Sequence, residues 1–493
     1  MMNNTMWYLM DLLRGTLNPL SAKNYILALM AYKKLSDDFY DAVKKVLPSN
    51  VLYEQAWLNE LEYQEFIFPT AQKLGYEIEP QFLFSVFEQQ VDKGDILFDV
   101  ITITKALRAL ENSAIKYNSH FAFSHLFDEI DLSSNELART HEGRNRLVAK
   151  IIEVLSKEKV TSDLFEDVMA NYASNLGKKG SMSYSPKSLS ELITQIAINS
   201  KDYVPSIYDA ACGSASLLLT AQKYMTVDKF FGQEIHTETY NLARMNMLVH
   251  GINYKDFDIR LGDTLLDPKH EQKFNTIVSI PPFSSKWEPE GISGLDERFN
   301  VYNRLAPKSK ADFAFIQHML YHLEEGGTMA VIMPLGILFR GAAEGEIRRQ
   351  IIEKDNYLDA VISLPPNLLY GTSIPVCLLV FKKTRQHANE VLFVDASNEY
   401  IKNRGQNLLS EEQINKIVKV YSGYENIDGY SRAVTLEEIA QNDYNLNIPR
   451  YITVYEEVSL DVQDAKKSLD EVNSAISEID LKLESLVKQL DKY

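Results

Sequence analysis

Four short stretches in the middle of the chain carry side chains able to do chemistry. The first, DAACGSASLL, runs from Asp209 to Leu218 directly after the apolar run SIY. A Gly-containing turn between a strand and a helix lets backbone N–H groups approach a ligand closely. One glycine among small neighbours, here Gly213 beside Ser214, suits a plain tight turn equally well. The second stretch, KFFGQEI, brings Glu234 to the place where a nucleotide-binding α/β fold grips ribose hydroxyls, about twenty residues further on. The third, DIRLGD, ends in Asp263, an acceptor suited to an adenine amino group. The fourth is SIPPF, Ser279 to Phe283. Asp209, Glu234 and Asp263 close three successive apolar runs, which points to one shared crevice rather than three solvated acids.

Such residues meet only if the runs that carry them are adjacent strands. SIYDA, KFFGQEI, DIRLGD, NTIVSI, TMAVIMP, LDAVISLP, VCLLVFKK and VLFVDAS are short apolar runs bounded by Gly, Pro, Asp or Asn. That is the signal of buried strands in a mostly parallel sheet, and helical stretches between them predict a doubly wound α/β domain. Folds of this kind place ligands at the carboxyl ends of the strands. Residues 1 to about 160 read as a helical domain instead, with Leu12, Leu13, Tyr25, Ile26, Leu29, Met30 and Leu35 at helix-like intervals. No catalytic constellation stands out there. The tail has a period of its own: Val462, Ala465, Leu469, Val472, Ile476, Ile479, Leu483, Leu486 and Leu490 step by three and four. This a/d seam predicts a coiled-coil helix that docks on another subunit, folding back on its own chain being the alternative. The expected division is 1–160 helical, 161–455 α/β and 456–493 coiled coil.

Bulk properties narrow the class. Hydrophobic residues make up 45% and charged residues 24%, as in ordinary globular proteins. No window is apolar enough for a membrane span, and the N-terminus lacks a basic region and a cleavage site, so a cytoplasmic protein without membrane attachment is expected. Cys212 and Cys377 read as buried thiols, and no metal site is expected.

The SIPPF segment resembles the fourth-strand motif Asn-Pro-Pro-Phe or Asn-Pro-Pro-Tyr of the amino-group DNA methyltransferases. More narrowly, the chain resembles the modification subunits of type I restriction–modification systems, which are adenine-N6 methyltransferases. The likeness extends through KSKADFAFIQHMLYHLEEGG, MPLGILFRGAAEGEIRR, LDAVISLPPNLLY, LFVDASNEY, GQNLLSEEQINKIV and YNLNIPRY. LLRG, AYKKLSD, FDEIDLSSNELA and the C-terminal seam fit the same family, so most of the 493 residues are covered. The resemblance implies a Rossmann-like methyltransferase domain that binds S-adenosylmethionine through Tyr184, Pro186, Asp209, Gly213, Ser214, Glu234 and Asp263. It implies an adenine flipped from the duplex against Ile280, Pro281, Pro282 and Phe283. In the family pattern the motif Asn and a Pro carbonyl accept hydrogen bonds from the adenine amino group, while Phe stacks on the base. The implied partners are a specificity subunit bound through the coiled coil, a second modification subunit, double-stranded DNA and a restriction subunit. A net charge of −17 suits that arrangement if a partner supplies most of the DNA affinity, although acidity also simply keeps a protein in solution.

Four positions depart from the family pattern. Ile280 stands at the motif Asn and offers no side-chain acceptor. Ala210 and Ala215 replace Pro and Gly of Asp-Pro-x-Cys-Gly-Ser-Gly, so that a Cβ at 215 either intrudes on the donor or strains the turn. Met182 replaces the acid of Gly-Gly-Glu-Phe-Tyr-Thr-Pro, which helps bind the donor's amino group. Two expectations follow: a working methyltransferase with an altered pocket, or a catalytically silent subunit that keeps the fold for assembly.

Overall fold

The computed structural model describes residues 15–93, 98–175, 184–199, 201–403 and 405–452, with a few positions nearer each end. By contact the chain divides into Met1–Ile452 and Thr453–Tyr493. The N-terminal part is helical. Its longest helix, α1 (Pro19–Val46), starts where the Asn18 side chain accepts from Leu20 N and Ser21 N, with Pro19 in the first turn, and it carries Lys44 and Lys45 in its last turn. Each feature satisfies or complements a helix end. Tyr25, Ile26, Leu29 and Met30 are buried along it. Further helices are α2 (Val100–Lys116), α3 (His141–Ser156) and α4 (Ser162–Asn175).

The remainder of this unit alternates helices with a nine-stranded sheet. Helix α5 (Lys187–Ile198) precedes β1 (Tyr203–Asp209), α6 (Ser216–Thr220), β2 (Thr226–Glu234), α7 (Thr237–Val249), β3 (Phe257–Leu261) and β4 (Phe274–Ser279). Then come α8 (Asp312–His322), β5 (Leu323–Pro334), α9 (Ala342–Arg349), β6 (Leu358–Ser363), β7 (Val376–Lys382), β8 (Glu390–Asp395), α10 (Glu411–Gly423) and β9 (Ser431–Thr435). The strand order is β3-β2-β1-β4-β5-β7-β6-β8-β9. Strands β1 to β5 pair in parallel, as do β6 and β8, while β7 runs antiparallel to β5 and β6, and β9 antiparallel to β8. All eight apolar runs are strands, in a doubly wound α/β sheet that is mostly parallel. β9 had no sequence signal, because SRAVT is a polar edge strand with two buried positions.

Alternation along the strands fills both faces. Val278, Ala330, Ile332, Ala360, Ile362, Leu378 and Val380 point into one core, shared with α5, α7, α10 and the helical N-terminal part. Ile277, Met329, Val331, Met333, Val361, Cys377, Leu379 and Phe381 point into the other, shared with α8 and α9. Cys212 and Cys377 are both buried free thiols. No helix among the described residues is long and apolar enough to cross a membrane. Of the C-terminal seam, Val462, Ala465, Leu469, Leu483, Leu486 and Leu490 lie outside the described residues. Val472, Ile476 and Ile479 are helical and each more than half exposed.

Candidate active site at the carboxyl edge of the sheet

The order β3-β2-β1-β4 brings Asp263, Glu234, Asp209 and Ser279 to neighbouring strand ends. Asp209 is 2% exposed. Its Oδ1 accepts from Ala211 N at 3.0 Å and from the Ser279 hydroxyl at 2.6 Å. Burial pushes its carboxyl up to about 7, with nearby Glu234 adding to the rise and the two hydrogen bonds opposing it. Glu234 accepts from Gly213 N at 3.1 Å through Oε2 and from His236 N at 2.8 Å through Oε1. The second acid thus holds the glycine turn that follows the first strand. Asp263 Oδ1 accepts from Leu265 N at 2.9 Å and Leu266 N at 3.2 Å.

The turn itself uses left-handed backbone at Gly213 (φ 54°) and at Ala215 (φ 64°). Glycine takes that conformation freely, whereas a residue with a Cβ is strained by roughly 1–2 kcal/mol. Ala215 is wholly buried in the core that α5 and α7 share, as part of one hydrophobic cluster. The strain expected at Ala215 is present in its left-handed backbone, and its methyl is wholly buried. Ala210 is buried on the other side of the sheet. Met182 lies outside the described residues. Pro186 is buried at the start of α5, and the Tyr184 ring lies 6.0 Å from that of Tyr370.

Ile280, which follows Ser279, is half-buried and packs with Phe283 and Tyr184 against the larger core. Pro281 is buried and Pro282 half-buried. Ser284 closes the segment in left-handed backbone (φ 48°), and its N–H donates to Asp312 Oδ1 at 2.7 Å. Asp312, at the first turn of α8, is 1% exposed and is paired with Arg340, which also grips Glu344 at 2.6 Å.

Several residues here escaped the sequence reading. Thr264 Oγ1 donates to Ala210 O at 2.5 Å and ties the loop after β3 to the turn after β1. Arg298 donates to Thr264 O at 2.9 Å and Leu265 O at 2.7 Å, so it clamps the same loop from the long β4–α8 connection. The guanidinium also donates to His318 Nδ1 at 3.0 Å, which leaves the imidazole proton on Nε2, 3.0 Å from the Tyr208 hydroxyl. Burial keeps His318 well below its ordinary pKa, and hence neutral. Glu166 of α4 takes Ser216 Oγ at 3.0 Å and Asn246 Nδ2 at 2.9 Å, and Asn246 also donates to Ser214 O at 2.9 Å. Burial, with Glu166 nearby, raises the Tyr184 pKa above its ordinary value. Helix α4 carries no strand-end signal, so nothing in the local sequence distinguishes Glu166 from a solvated helix face.

Comparison with known proteins places this geometry. A model of the N-6 DNA methylase family matches residues 156–459, and one of the HsdM N-terminal domain matches residues 2–155. The chain is 32% identical to the type I restriction enzyme MpnII methylase subunit of Mycoplasma pneumoniae, over 98% of this chain and 95% of that one. It is 28% identical to the MjaIX methylase subunit of Methanocaldococcus jannaschii, over 99% and 90% respectively. The crystal structure of a type I restriction–modification methyltransferase subunit from Streptococcus thermophilus superposes with a TM-score of 0.84 at 34% identity, covering 92% of this chain and 98% of that one. The likeness runs the length of the chain, which belongs to the methylase subunits of type I restriction–modification systems, the adenine-N6 DNA methyltransferases.

Proposed function

We propose that this subunit holds S-adenosylmethionine across the ends of β1, β2 and β3, holds a flipped adenine at the end of β4, and transfers methyl slowly because of Ile280. The donor fits on two observations. Asp263 Oδ2 has no partner among the described residues, which leaves an acceptor for an adenine amino group. The Ala215 methyl is wholly buried in the larger hydrophobic cluster. S-adenosylmethionine supplies a methyl group on a sulfonium that is already a good leaving group, so the chain needs neither a nucleophile nor a metal.

The residues then divide the work. Glu234 orders the Gly213 turn and offers its remaining lone pairs to ribose hydroxyls. Tyr184, Pro186 and Ser214 line the other end of the donor. Pro281 and Pro282 present rigid backbone carbonyls to the base amino group, and Phe283 stacks on the ring. The Asp312–Arg340 pair fixes the turn behind them. At Ile280 the side-chain acceptor is missing, and an unsatisfied donor in a dry pocket costs about 1–3 kcal/mol, or roughly 5- to 150-fold in rate. That residue carries the proposal of a slow transfer step, and it equally favours a silent assembly subunit. The expected partners are a specificity subunit, a second methylase subunit, double-stranded DNA and a restriction subunit. The seam residues Val472, Ile476 and Ile479, exposed on their helix, support docking there.

Incorporation of labelled methyl groups by the complex with its specificity subunit tests this. The natural chain should give a trace, Ile280→Asn at least about tenfold more, and the triple variant with Ala215→Gly and Met182→Glu more again. Equal rates for the natural chain and Ile280→Asn would mean that the Pro281–Pro282 backbone and Phe283 suffice. No incorporation by any variant would favour the silent subunit.

A further inference from the structure

Helix α4 contributes one carboxylate, Glu166, that has no Lys or Arg within ion-pair distance among the described residues. Glu166 is held by the Ser216 hydroxyl at 3.0 and 3.1 Å and by Asn246 Nδ2 at 2.9 Å. Its side chain is 21% exposed. Among the described residues its one basic neighbour within ion-pair distance is His250, at 3.9 Å. Burial lowers the His250 pKa from its ordinary value, so this imidazole is neutral near pH 7. A largely buried carboxylate that meets only neutral donors among the described residues is placed to receive a ligand's positive charge, because burying a charge is costly until it is paired.

Sheet order says which cation belongs there. If the adenosyl group lies over Asp263 and Glu234, it spans the ends of β3 and β2. The methyl has to be aimed at a base over Pro281 and Phe283, at the end of β4. The third substituent on sulfur is the amino-acid tail, and it must leave over β1, where the turn from Gly213 to Ser216 enters α6. Glu166 meets that turn directly.

We infer that Glu166 receives the α-ammonium group of the donor, the role for which position 182 here has Met in place of an acid. This rests on the donor reading given above. Ser216 and Asn246 orient the carboxylate, and Asn246 ties it to the Ser214 carbonyl, so the charge and the turn are one unit. The contact is with a ligand, not with the reacting atoms, so Glu166 is a binding residue.

Calorimetry on the full chain separates this from a structural role. S-adenosylhomocysteine carries the ammonium, whereas methylthioadenosine has the same adenosine and thioether without an amino-acid tail. Glu166→Gln keeps the shape and the hydrogen bonds from Ser216 and Asn246 but loses the charge. It should weaken S-adenosylhomocysteine about tenfold and change methylthioadenosine by less than about twofold. Equal loss of both ligands, or no loss of either, would overturn the assignment. A natural chain that binds neither ligand would overturn the donor crevice, and this inference with it. Binding of both by the natural chain, with loss confined to the ammonium-bearing ligand in the variant, supports the two together. A Glu166→Asp variant with a matching thermal midpoint guards against misfolding. It should retain the preference for S-adenosylhomocysteine that the Gln variant loses.

Discussion

At the scale of single residues, Asp209 shows how burial turns a conventional acid into a pH-sensitive one. Its folded pKa, about 7, stands above the ordinary value of 3.8, with burial as the main cause. The neutral form is therefore the one that the fold favours. The stability it contributes is complete below about pH 4 and is lost as pH rises through about 7. Asp209→Asn keeps an acceptor for Ser279 and Ala211 but does not titrate. Urea unfolding between pH 4 and 8 should show the natural chain losing stability relative to this variant as pH rises, most steeply between about 5 and 7. Parallel curves would mean that the carboxylate is ionised throughout. Because Ser279 immediately precedes Ile280, the same variant reports on how far the strand ends are coupled.

At the scale of elements, the loop after β3 does not hold its shape by itself. Asp263 caps the N–H groups of Leu265 and Leu266, but the carbonyls of Thr264 and Leu265 depend on Arg298, which arrives from beyond β4. The long β4–α8 connection therefore clamps the adenine end of the proposed donor site while its own start carries the segment proposed to face the base. Arg298→Ala removes donors from two buried carbonyls and from His318. The expected cost is roughly 3 kcal/mol or more in stability, together with weaker S-adenosylhomocysteine binding. Arg298→Lys should not restore it, since one ammonium cannot reproduce the planar fork that reaches Thr264, Leu265 and His318 together. A lysine variant with natural stability and affinity would show that charge alone suffices. Within the same connection Trp287 is buried in the second core, and its indole donates to Pro307 O at 3.1 Å.

At the scale of the whole molecule, the chain is acidic, with a net charge of −17, and three apolar residues among the described positions of its C-terminal unit are exposed. An acidic chain gains little from counterion release, so the lone chain is expected to bind duplex DNA weakly and with a small salt dependence. Val472, Ile476 and Ile479, each more than half exposed, continue the three–four spacing of the seam. A chain lacking residues 458–493 should therefore fail to co-purify with its specificity subunit and keep the thermal midpoint of the α/β unit, which ends in contact terms at Ile452. Full stoichiometry after truncation would assign the seam to an internal brace instead.

What the amino-acid order determined alone is what depends on near neighbours. Short apolar runs specified eight strands, because a buried strand's composition is set within a few residues. The strand-end acids could be read for the same reason: in a parallel sheet, the end of a strand is a place in space as well as in sequence. What tertiary structure decided lies where partners come from far along the chain. Glu166 reaches Ser216 across 50 residues, Arg298 reaches Thr264 across 34, and Arg340 reaches Asp312 across 28. Nor could the sequence say that the Ala215 methyl points into the core, since a turn's handedness is local but the filling of the space beside it is not. β9 escaped for a related reason: an edge strand buries little, so its side chains need not be apolar, and it is the ladder with β8 that makes it a strand.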